Sequence, residues 1–372
     1  MPKSKLSKTQ LLILPFFIII LSCSNVQTTP KQSGIATDKS QVEIEVQKPE
    51  PVMVYYEDPI LHIFFHPLVA KPEIAFKGDM KDHFLDWFVT ADEFRKVLYE
   101  MYIGGYVLID VNEIYEVQHT DGVKKVVGKK VLIPEGKKPM LLSVDDLNYY
   151  EHCRENGVVH KLVIDENGEI AAWTDNESGG ELSYDQDIVT VLEDFIRQYP
   201  DFSIRGAKGI IAVTGYEGLL GYQTDKPDAP GYRKEIEDVT AVVKKLKENG
   251  WVFASHSWGH LNMPTVPMSW FTHDLNLWDR QIKPILGDID LYIYPFGAKL
   301  ENQEDRHKLL RDRNYHVFFG VGSGYYYHET QDYIYMDRIN IDGYHFRTYR
   351  NRADRLFDID KVVDDSARGI GG

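Results

Sequence analysis

Short apolar runs that stop abruptly at polar residues, glycine or proline recur along the chain. Each run is too short for a helix of ordinary length and many are rich in β-branched or aromatic residues, so each is predicted to be a buried strand. The predicted strands cover residues 60–65, 106–110, 140–144, 209–214, 251–254, 291–294, 316–321 and 336–341.

The segments between these runs carry apolar residues every three or four positions, which is the spacing of a helix with one buried face. Helices are predicted over residues 91–103, 111–117, 147–156, 187–199, 232–249, 270–286 and 305–313. The alternation of strands with helices predicts parallel β/α units. Because no nucleotide fingerprint is present, about seven such units favour a distorted (β/α) barrel of about seven parallel strands over an open doubly wound sheet. An inserted hairpin is predicted near residues 160–174.

The beginning of the chain has a different pattern. Three lysines precede an apolar run over residues 11–21, and Cys23 follows. The run is shorter than the roughly 20 residues of a comfortable membrane span. Residues 1–22 are therefore predicted to be a lipoprotein signal peptide with lipid attached to Cys23, although an uncleaved anchor or an ordinary secretory signal fits the same pattern. Each alternative exports the protein, and the lipid would anchor it to a bacterial membrane, facing the periplasm or the cell exterior.

Composition sets the expected domain limits and argues against one class of partner. Residues 23–55 are mostly polar and poor in large apolar side chains, so they are predicted to be a disordered tether. Residues 56–350 are predicted to form the barrel domain and residues 351–372 a C-terminal tail. The formal net charge of −15 argues against nucleic acid as a partner, because both would be polyanions. The sequence carries no signal for an oligomeric state.

Polar side chains collect where the predicted strands end. His256 and His260 follow strand 251–254, and their spacing would place both imidazoles on one face of a helical turn. Neutral imidazole is a good ligand for zinc and similar cations, but two ligands leave a site incomplete. The carboxyl ends of parallel strands meet at one end of a barrel, so Asp145 and Asp146, which follow another predicted strand, are the best candidates to complete the site. One of them can bind metal while the other stays free as a base.

Each of these features alone has an ordinary structural explanation. An aspartate pair is more often a helix cap or a solvated turn, and two histidines at this spacing are more often structural. The agreement among strand ends carries more weight, because His66 and the segment Pro295-Phe296-Gly297 also follow predicted strands. The sequence therefore predicts a site at the carboxyl end of the barrel.

These motifs together resemble those of the NodB-homology polysaccharide deacetylases, which are metal-dependent carbohydrate esterases. The family's first motif, Thr-Phe-Asp-Asp-Gly, is similar to residues 143–147, and its second, His-Ser/Thr-x-x-His, is matched in full by residues 256–260. Its third, Arg-x-Pro-Tyr/Phe, is matched in part by residues 293–296, and its initial Tyr-His is similar to Phe65-His66. The resemblance covers residues 61–341 and implies a NodB-like barrel.

The resemblance also implies a role for individual residues. Asp145 would be the catalytic base. Asp146, His256 and His260 would hold one divalent metal, with zinc as the first choice and cobalt, nickel or manganese as alternatives. The backbone N–H of Phe296 would help to stabilise the oxyanion.

The chain departs from the family pattern at two positions. Ile293 stands where the family has the arginine that orients the base, and Arg338 in the last predicted strand is a candidate replacement. No Leu-x-His motif is evident near the end of the domain, where the family has its general-acid histidine. His345 and His66 are the two candidates for that role.

The implied function is removal of acetyl groups from a cell-surface or extracellular polysaccharide, by N-deacetylation of sugars of the N-acetylglucosamine type. Tyr294, His66 and Trp258 are expected to contact this substrate. Two alternatives remain open at this point. One is a carbohydrate-binding surface lipoprotein that has lost catalysis, and the other is an esterase that acts on O-acetyl groups.

Overall fold

Seven parallel strands form a closed ring in the computed structural model, which describes residues 51–120, 123–353 and 355–370. In chain order the strands are β1 (Leu61–Phe65), β2 (Lys138–Val144), β3 (Ile210–Val213), β4 (Val252–Ser255), β5 (Leu291–Ile293), β6 (Val317–Val321) and β7 (Ile334–Asn340). Successive strands are neighbours in the ring, and β7 closes it by pairing with β1, where Ile339 lies opposite Ile63. The predicted (β/α) barrel is therefore confirmed.

One predicted strand forms but lies outside the ring. Tyr106–Leu108 pairs in parallel with the first residues of β2, whereas β3 pairs with its last residues, where Ile210 lies opposite Ser143. Strand β2 is long enough to hold both partners along the same edge. Strand 106–108 therefore lies outside the ring and is not one of the seven barrel strands.

Shorter strands lie outside the seven-stranded ring. They are Met53–Tyr55 paired with Leu132–Pro134, Tyr115–Thr120 paired with Val123–Gly128, the three-stranded set Lys161–Ile164, Ile170–Thr174 and Glu181–Ser183, and Tyr327–Glu329 on the edge of β7. The hairpin predicted near residues 160–174 is thus present, with a third strand added. The tether predicted for residues 23–55 does not hold at residues 53–55, because their backbone pairs with that of residues 132–134.

Helices fill most of the connections between barrel strands. The α-helices are Pro72–Ala75, Lys81–Trp87, Ala91–Ile103, Glu151–Glu155, Ile188–Gln198, Tyr232–Glu248, Met268–Gln281, Lys283–Leu286, Glu304–Arg311, Gly343–Tyr349 and Ile359–Val362, and single 3₁₀ turns lie at Val111–Glu113, Pro200–Phe202 and Pro295–Gly297. The helix predicted over residues 111–117 is wrong, because it ends after one turn and the chain continues as a strand from Tyr115. The helix predicted from residue 147 begins only at Glu151, since Tyr149 has a left-handed backbone with a φ of 56°.

The segment predicted to be a C-terminal tail packs onto the domain. Residues 359–362 form a short helix, and Arg368 is buried in an ion pair with Glu93. Glu93 belongs to helix Ala91–Ile103, where it also completes a capping box with Thr90. The end of the described chain is therefore fastened to the helix that follows β1.

The alternation of side chains along β2 brings polar groups into the barrel. Met140, Leu142 and Val144 belong to the core between the barrel wall and the helices, whereas Leu141 belongs to the core inside the barrel. Because side chains in a strand alternate between its two faces, Ser143 continues the interior row. The barrel interior thus changes from apolar to polar toward the carboxyl ends of its strands.

The predictions made for the first 50 residues lie outside the described part of the chain. These are the signal peptide, the lipid-modified Cys23 and most of the tether. Within the described ranges, no helix combines the length and the apolar composition that a membrane span requires.

Candidate active site

Two histidines and one aspartate converge at the carboxyl end of the barrel. Asp146 follows β2, and His256 and His260 follow β4. The carboxylate Oδ2 of Asp146 lies 3.6 Å from Nε2 of His260 and 4.0 Å from Nε2 of His256. One ligand atom from each of the three residues lies within 4.8 Å of the other two. The structure therefore brings together the three residues that the sequence analysis expected to bind metal.

The donor set fits a divalent cation such as zinc. One carboxylate and two imidazoles form a common ligand set for zinc, which leaves a further position open for substrate or water. The Nδ1–H of His256 donates a hydrogen bond to the carbonyl oxygen of Ile293, with an Nδ1–O distance of 2.9 Å. Because a carbonyl oxygen only accepts hydrogen bonds, this contact leaves Nε2 of His256 as the unprotonated nitrogen that faces Asp146.

The histidines reach one point by a different backbone from the one predicted. Residues 256–260 form an irregular loop and not a helical turn, with left-handed φ values of 59° at Ser257 and 49° at His260. The carboxylate of Asp274 holds the loop by accepting hydrogen bonds from the backbone N–H of Trp258 (2.9 Å) and of Gly259 (2.7 Å). The loop geometry thus depends on a buried side chain of the following helix, and four-residue spacing alone does not produce it.

Trp258 anchors the same loop. Its indole Nε1–H donates to the side-chain carbonyl oxygen of Gln281 at 2.8 Å, and the ring lies so close to Gly215 that a Cβ there would be 2.0 Å from the indole. Its backbone carbonyl accepts hydrogen bonds from the N–H groups of Gly215 and Tyr216. Trp258, which was expected to contact the substrate, therefore packs between two loops of the barrel.

Tyr150 holds the carboxylate of Asp146, a metal-binding candidate, and was not predicted from the sequence. Its hydroxyl donates to Oδ1 of Asp146 at 2.7 Å and lies 2.7 Å from Oγ1 of Thr214. The bond to Oδ1 leaves Oδ2 of Asp146 directed at the two imidazoles. Contacts of this kind orient a metal ligand and tune its basicity. The only sequence signal for Tyr150 is its position four residues after Asp146.

Asp145 is held beside the three metal-binding candidates by an arginine from β7, which only β1 separates from β2 in the ring. Nη1 of Arg338 donates to Oδ1 of Asp145 at 2.6 Å and Nη2 donates to Oδ2 at 2.9 Å. Oδ2 of Asp145 also lies 3.9 Å from Nε2 of His256. Burial raises the pKa of Asp145, but the guanidinium of Arg338 outweighs that effect, and the pKa lies well below its usual range. Asp145 is consequently an ionised carboxylate with a fixed orientation.

Arg338, and not a side chain at position 293, contacts Asp145. Ile293 is buried in strand β5, whereas Arg338 lies in β7 and crosses the barrel interior to Asp145. Its Nη1 also donates to Oγ of Ser143, and its guanidinium lies 4.2 Å from the centre of the Phe64 ring. Ser143 in turn contacts Nε2 of His62 at 3.0 Å. These interior contacts hold the arginine in place.

The two candidate acids occupy different environments. His66 is half-buried, and its Nδ1–H donates to the carbonyl oxygen of Trp87 at 3.0 Å. The residue before it, Phe65, accepts a hydrogen bond through its carbonyl oxygen from the N–H of Asp145 at 2.8 Å, which places His66 close to the site. His345 is buried against the ring of Tyr349, and burial lowers its pKa to about 4. In the described part of the chain, no hydrogen bond, ion pair or ring contact joins His345 to Asp145 or to the metal-binding candidates.

The residues around the third motif divide between the site and the barrel shell. Phe296 is 67% exposed, and its ring centre lies 4.5 Å from that of His260. Its left-handed φ of 59° turns the chain over the carboxyl end of β5. Tyr294 is fully buried, and its ring stacks on Phe318 in the shell of the barrel. Phe296 thus borders the site, while Tyr294 supports the wall behind it.

Comparison with known proteins bears on this arrangement. Residues 231–317, which include both histidines and the third motif, match the family model described as polysaccharide deacetylase. The match covers less than a quarter of the chain and shows a similarity to that family over these residues. This match confirms the predicted resemblance and, with it, the enzyme class, a deacetylase hydrolase. No curated protein matches the chain significantly.

Several solved structures are similar to this chain at low sequence identity. They include the Streptococcus pyogenes deacetylase PplD in complex with acetate (16% identity, TM-score 0.41, covering 78% of this chain and 94% of that chain). IcaB from Ammonifex degensii gives 12% identity and a TM-score of 0.42, with 77% and 92% covered. BC0361, a polysaccharide deacetylase from Bacillus cereus, gives 12% identity and a TM-score of 0.43, with 79% and 70% covered. The fold assignment rests on the strand pairings described above.

Proposed function

We propose that this protein is a metal-dependent hydrolase that removes acetyl groups from the N-acetylated sugars of a polysaccharide. The observation that carries the proposal is the convergence of Asp146, His256 and His260 beside an ionised Asp145. A metal-binding set alone would also fit a structural ion. The adjacent carboxylate, which faces His256 and is held by Arg338, favours a catalytic site.

Asp146, His256 and His260 would hold one divalent cation, with zinc as the first choice. When bound, such an ion polarises a carbonyl group and lowers the pKa of water, which is the chemistry that amide hydrolysis at neutral pH needs. The fixed tautomer of His256 and the hydrogen bond from Tyr150 to Asp146 keep both ligands in the form that binds a cation.

Asp145 acts as the general base in the proposed reaction. It takes a proton from the water molecule whose oxygen attacks the acetyl carbonyl carbon. The paired donors of Arg338 fix the plane of the carboxylate, so that its Oδ2 stays on the side of His256. The bidentate contact therefore supplies the orientation that the family pattern assigns to an arginine at position 293.

His66 acts as the general acid, and the Phe296 backbone N–H is the candidate donor to the developing oxyanion. The hydrogen bond from Nδ1–H of His66 to the Trp87 carbonyl leaves Nε2 free, so that the imidazolium form can give its Nε2 proton to the sugar nitrogen as the C–N bond breaks. Acetate and a free amine are the products. His345 is not assigned this step, because its ring is buried against Tyr349 away from these residues.

Acetate release from N-acetylglucosamine oligomers tests this function. Purified protein with added zinc or cobalt should release acetate, and Asp145→Asn should reduce the rate by about 10²- to 10⁴-fold, because it removes the base. Asp92→Asn, at an exposed position on helix Ala91–Ile103, is the matched control and should retain full activity. Wild-type protein that binds metal and oligomer but releases no acetate would contradict the proposal. Acetate released from acetylxylan alone would identify an O-acetyl esterase.

We also propose that the enzyme is exported and lipid-anchored at a bacterial membrane, where such a polysaccharide is accessible. The support is the N-terminal pattern of lysines, an apolar run and Cys23. Expression in a bacterial host with a labelled fatty acid should give a labelled protein, and Cys23→Ala should abolish the label. Equal labelling of both proteins would contradict the lipid anchor.

A further inference from the structure

Two large aromatic side chains stand exposed beside the candidate acid. Trp87 is 43% exposed and Tyr344 is 51% exposed, although both belong to helices that pack on the barrel. Their rings are nearly parallel, with an interplanar angle of 22° and a centroid separation of 6.1 Å. Together they expose apolar aromatic surface to solvent, and we call this pair the aromatic platform.

The platform is held rigidly by the two helices that carry it. Trp87 is the last residue of helix Lys81–Trp87, and Tyr344 lies in the first turn of helix Gly343–Tyr349. The helices approach so closely at Gly343 that a Cβ there would lie 1.7 Å from the carbonyl oxygen of Leu85. Arg347 ties them further, because it donates to that same carbonyl oxygen and pairs with Asp86. The ring positions are therefore preorganised in the free protein.

The platform is joined to the proposed acid through the backbone of Trp87. The carbonyl oxygen of Trp87 accepts the hydrogen bond from Nδ1–H of His66, so the backbone that carries the indole also orients the proposed acid. Tyr344 follows Asp342, which lies just beyond the end of β7 and caps the helix by accepting from the N–H of His345. The platform thus lies at the carboxyl end of the barrel, near β7 and β1. Phe296, after β5, borders the site from another direction.

The chemistry of the platform matches one face of a sugar ring. A pyranose carries C–H groups on its faces and hydroxyl groups around its edge, so it can cover a flat aromatic surface while its hydroxyl groups remain in water. Burying exposed aromatic surface is favourable in proportion to the area removed from water. The position beside His66 fits the sugar unit next to the one that loses its acetyl group.

We propose that Trp87 and Tyr344 form a sugar-stacking subsite that binds the neighbouring unit of the glycan chain and so makes the enzyme selective for polymers. This inference rests on the proposed function, since it names the form of the substrate. Isolated exposed aromatic side chains are common on protein surfaces and need no ligand. The inference depends instead on the near-parallel pair and on its hydrogen bond to the proposed acid.

Binding of N-acetylglucosamine oligomers separates the subsite from catalysis. Titration calorimetry on Asp145→Asn protein would compare the disaccharide with the pentasaccharide, without turnover. In this background, Trp87→Ala and Tyr344→Ala should each weaken pentasaccharide binding by about 5- to 10-fold and reduce the gain in affinity from disaccharide to pentasaccharide. Trp87→Phe should restore most of the affinity, because it retains an aromatic ring, and unchanged circular dichroism would verify folding.

Trp270 supplies the matched control. It is 61% exposed on helix Met268–Gln281, and no hydrogen bond, ion pair or ring contact connects its side chain to the site within the described residues. Trp270→Ala should leave oligomer binding unchanged. The subsite is overturned if Trp87→Ala keeps the full length dependence, if Trp270→Ala causes the same loss, or if the Asp145→Asn protein binds no pentasaccharide. Length-dependent binding without acetate release by wild-type protein would instead refute the proposed reaction and leave the subsite standing.

Discussion

The molecule contains two buried ion pairs of the same chemical type in two different surroundings. Arg338 pairs with Asp145 inside the barrel, and Arg368 pairs with Glu93 outside it. In both, two guanidinium nitrogens contact the two oxygens of one carboxylate, and both partners are almost fully buried. The two carboxylates differ in the groups around them, and this difference separates a pair in the active site from a pair in the framework.

The outer pair is closed on every side. Besides the two bonds from Arg368, Oε2 of Glu93 accepts from the N–H of Thr90 at 2.9 Å and Oε1 accepts from the N–H of Asp364 at 3.0 Å. Arg368 donates further to the carbonyl oxygens of Leu85 and Phe88. This pair ties the C-terminal segment to the helices that follow β1, and it leaves the carboxylate no free side for a reactant.

The inner pair leaves one side of its carboxylate without a hydrogen-bond donor among the described residues. On that side, Oδ2 of Asp145 lies 3.9 Å from Nε2 of His256. That distance is longer than a hydrogen bond, and this side of the Asp145 carboxylate faces the metal-binding candidates. An arginine therefore orients each carboxylate, and what lies beyond the carboxylate decides whether it can perform chemistry.

The largest expected effect comes from breaking the outer pair. Arg368→Met should lower the free energy of unfolding by about 3–5 kcal/mol, because it leaves a buried glutamate without its partner. Denaturant unfolding followed by circular dichroism would measure this loss. At a temperature where the variant remains folded, its kcat for acetate release should equal that of the wild type. A large fall in kcat with unchanged stability would contradict the framework role.

Breaking the inner pair should act on the reaction as well as on stability. Arg338→Met should lower kcat for acetate release by about 100-fold, because Asp145 loses the donors that orient it, while bound metal stays unchanged. Arg338→Lys should restore little activity, since a lysine cannot reproduce two parallel bonds to one carboxylate. Steady-state kinetics combined with metal analysis would measure both effects. Full activity in the lysine variant would show that charge alone is sufficient.

A third buried carboxylate, that of Asp187, has no arginine partner in the described part of the chain. Asp187 caps helix Ile188–Gln198 and accepts a hydrogen bond from the hydroxyl of Tyr149 at 2.8 Å. Burial raises its pKa to about 6. Because this value lies above that of the unfolded chain, the protonated folded state is favoured at low pH, and the stability it confers is lost as pH rises from about 4 through 6.

This difference is expected to appear as a pH-dependent stability. Relative to Asp187→Asn, the wild type should lose roughly 2–3 kcal/mol of unfolding free energy between pH 4 and pH 7. Urea unfolding at several pH values would measure it, and Asp92→Asn is again an exposed control. Parallel pH profiles for the wild type and Asp187→Asn would show that Asp187 titrates normally and would remove this contrast with Asp145.

Local pattern was sufficient to predict the barrel and the residues at its rim. Residues 140–142 of strand β2 are apolar, and Asp145 and Asp146 follow the strand directly, so both the strand and its polar end can be recognised in the sequence. The arginine at position 338 could be proposed because it lies in the last predicted strand, whose neighbour in a closed barrel is the first. Both inferences need only alternation and closure.

The parts that escaped prediction depend on contacts between distant residues. The loop 256–260 adopts left-handed backbone positions because Asp274, in the following helix, binds its N–H groups. Tyr150 reaches Asp146 only because a left-handed residue, Tyr149, delays the start of the helix. His345 is a residue type that can act as an acid, but packing against Tyr349 places its ring in the shell of the barrel. Residue type and spacing do not encode such positions.

Metal analysis of three purified proteins tests the central claim most directly. If Asp146, His256 and His260 hold a single cation beside a free base, then wild-type protein and Asp145→Asn should each retain one zinc ion per chain after dialysis. His256→Ala should lose it, because two ligands do not suffice. Full metal content in His256→Ala, or loss of metal in Asp145→Asn, would contradict the assignment of these residues.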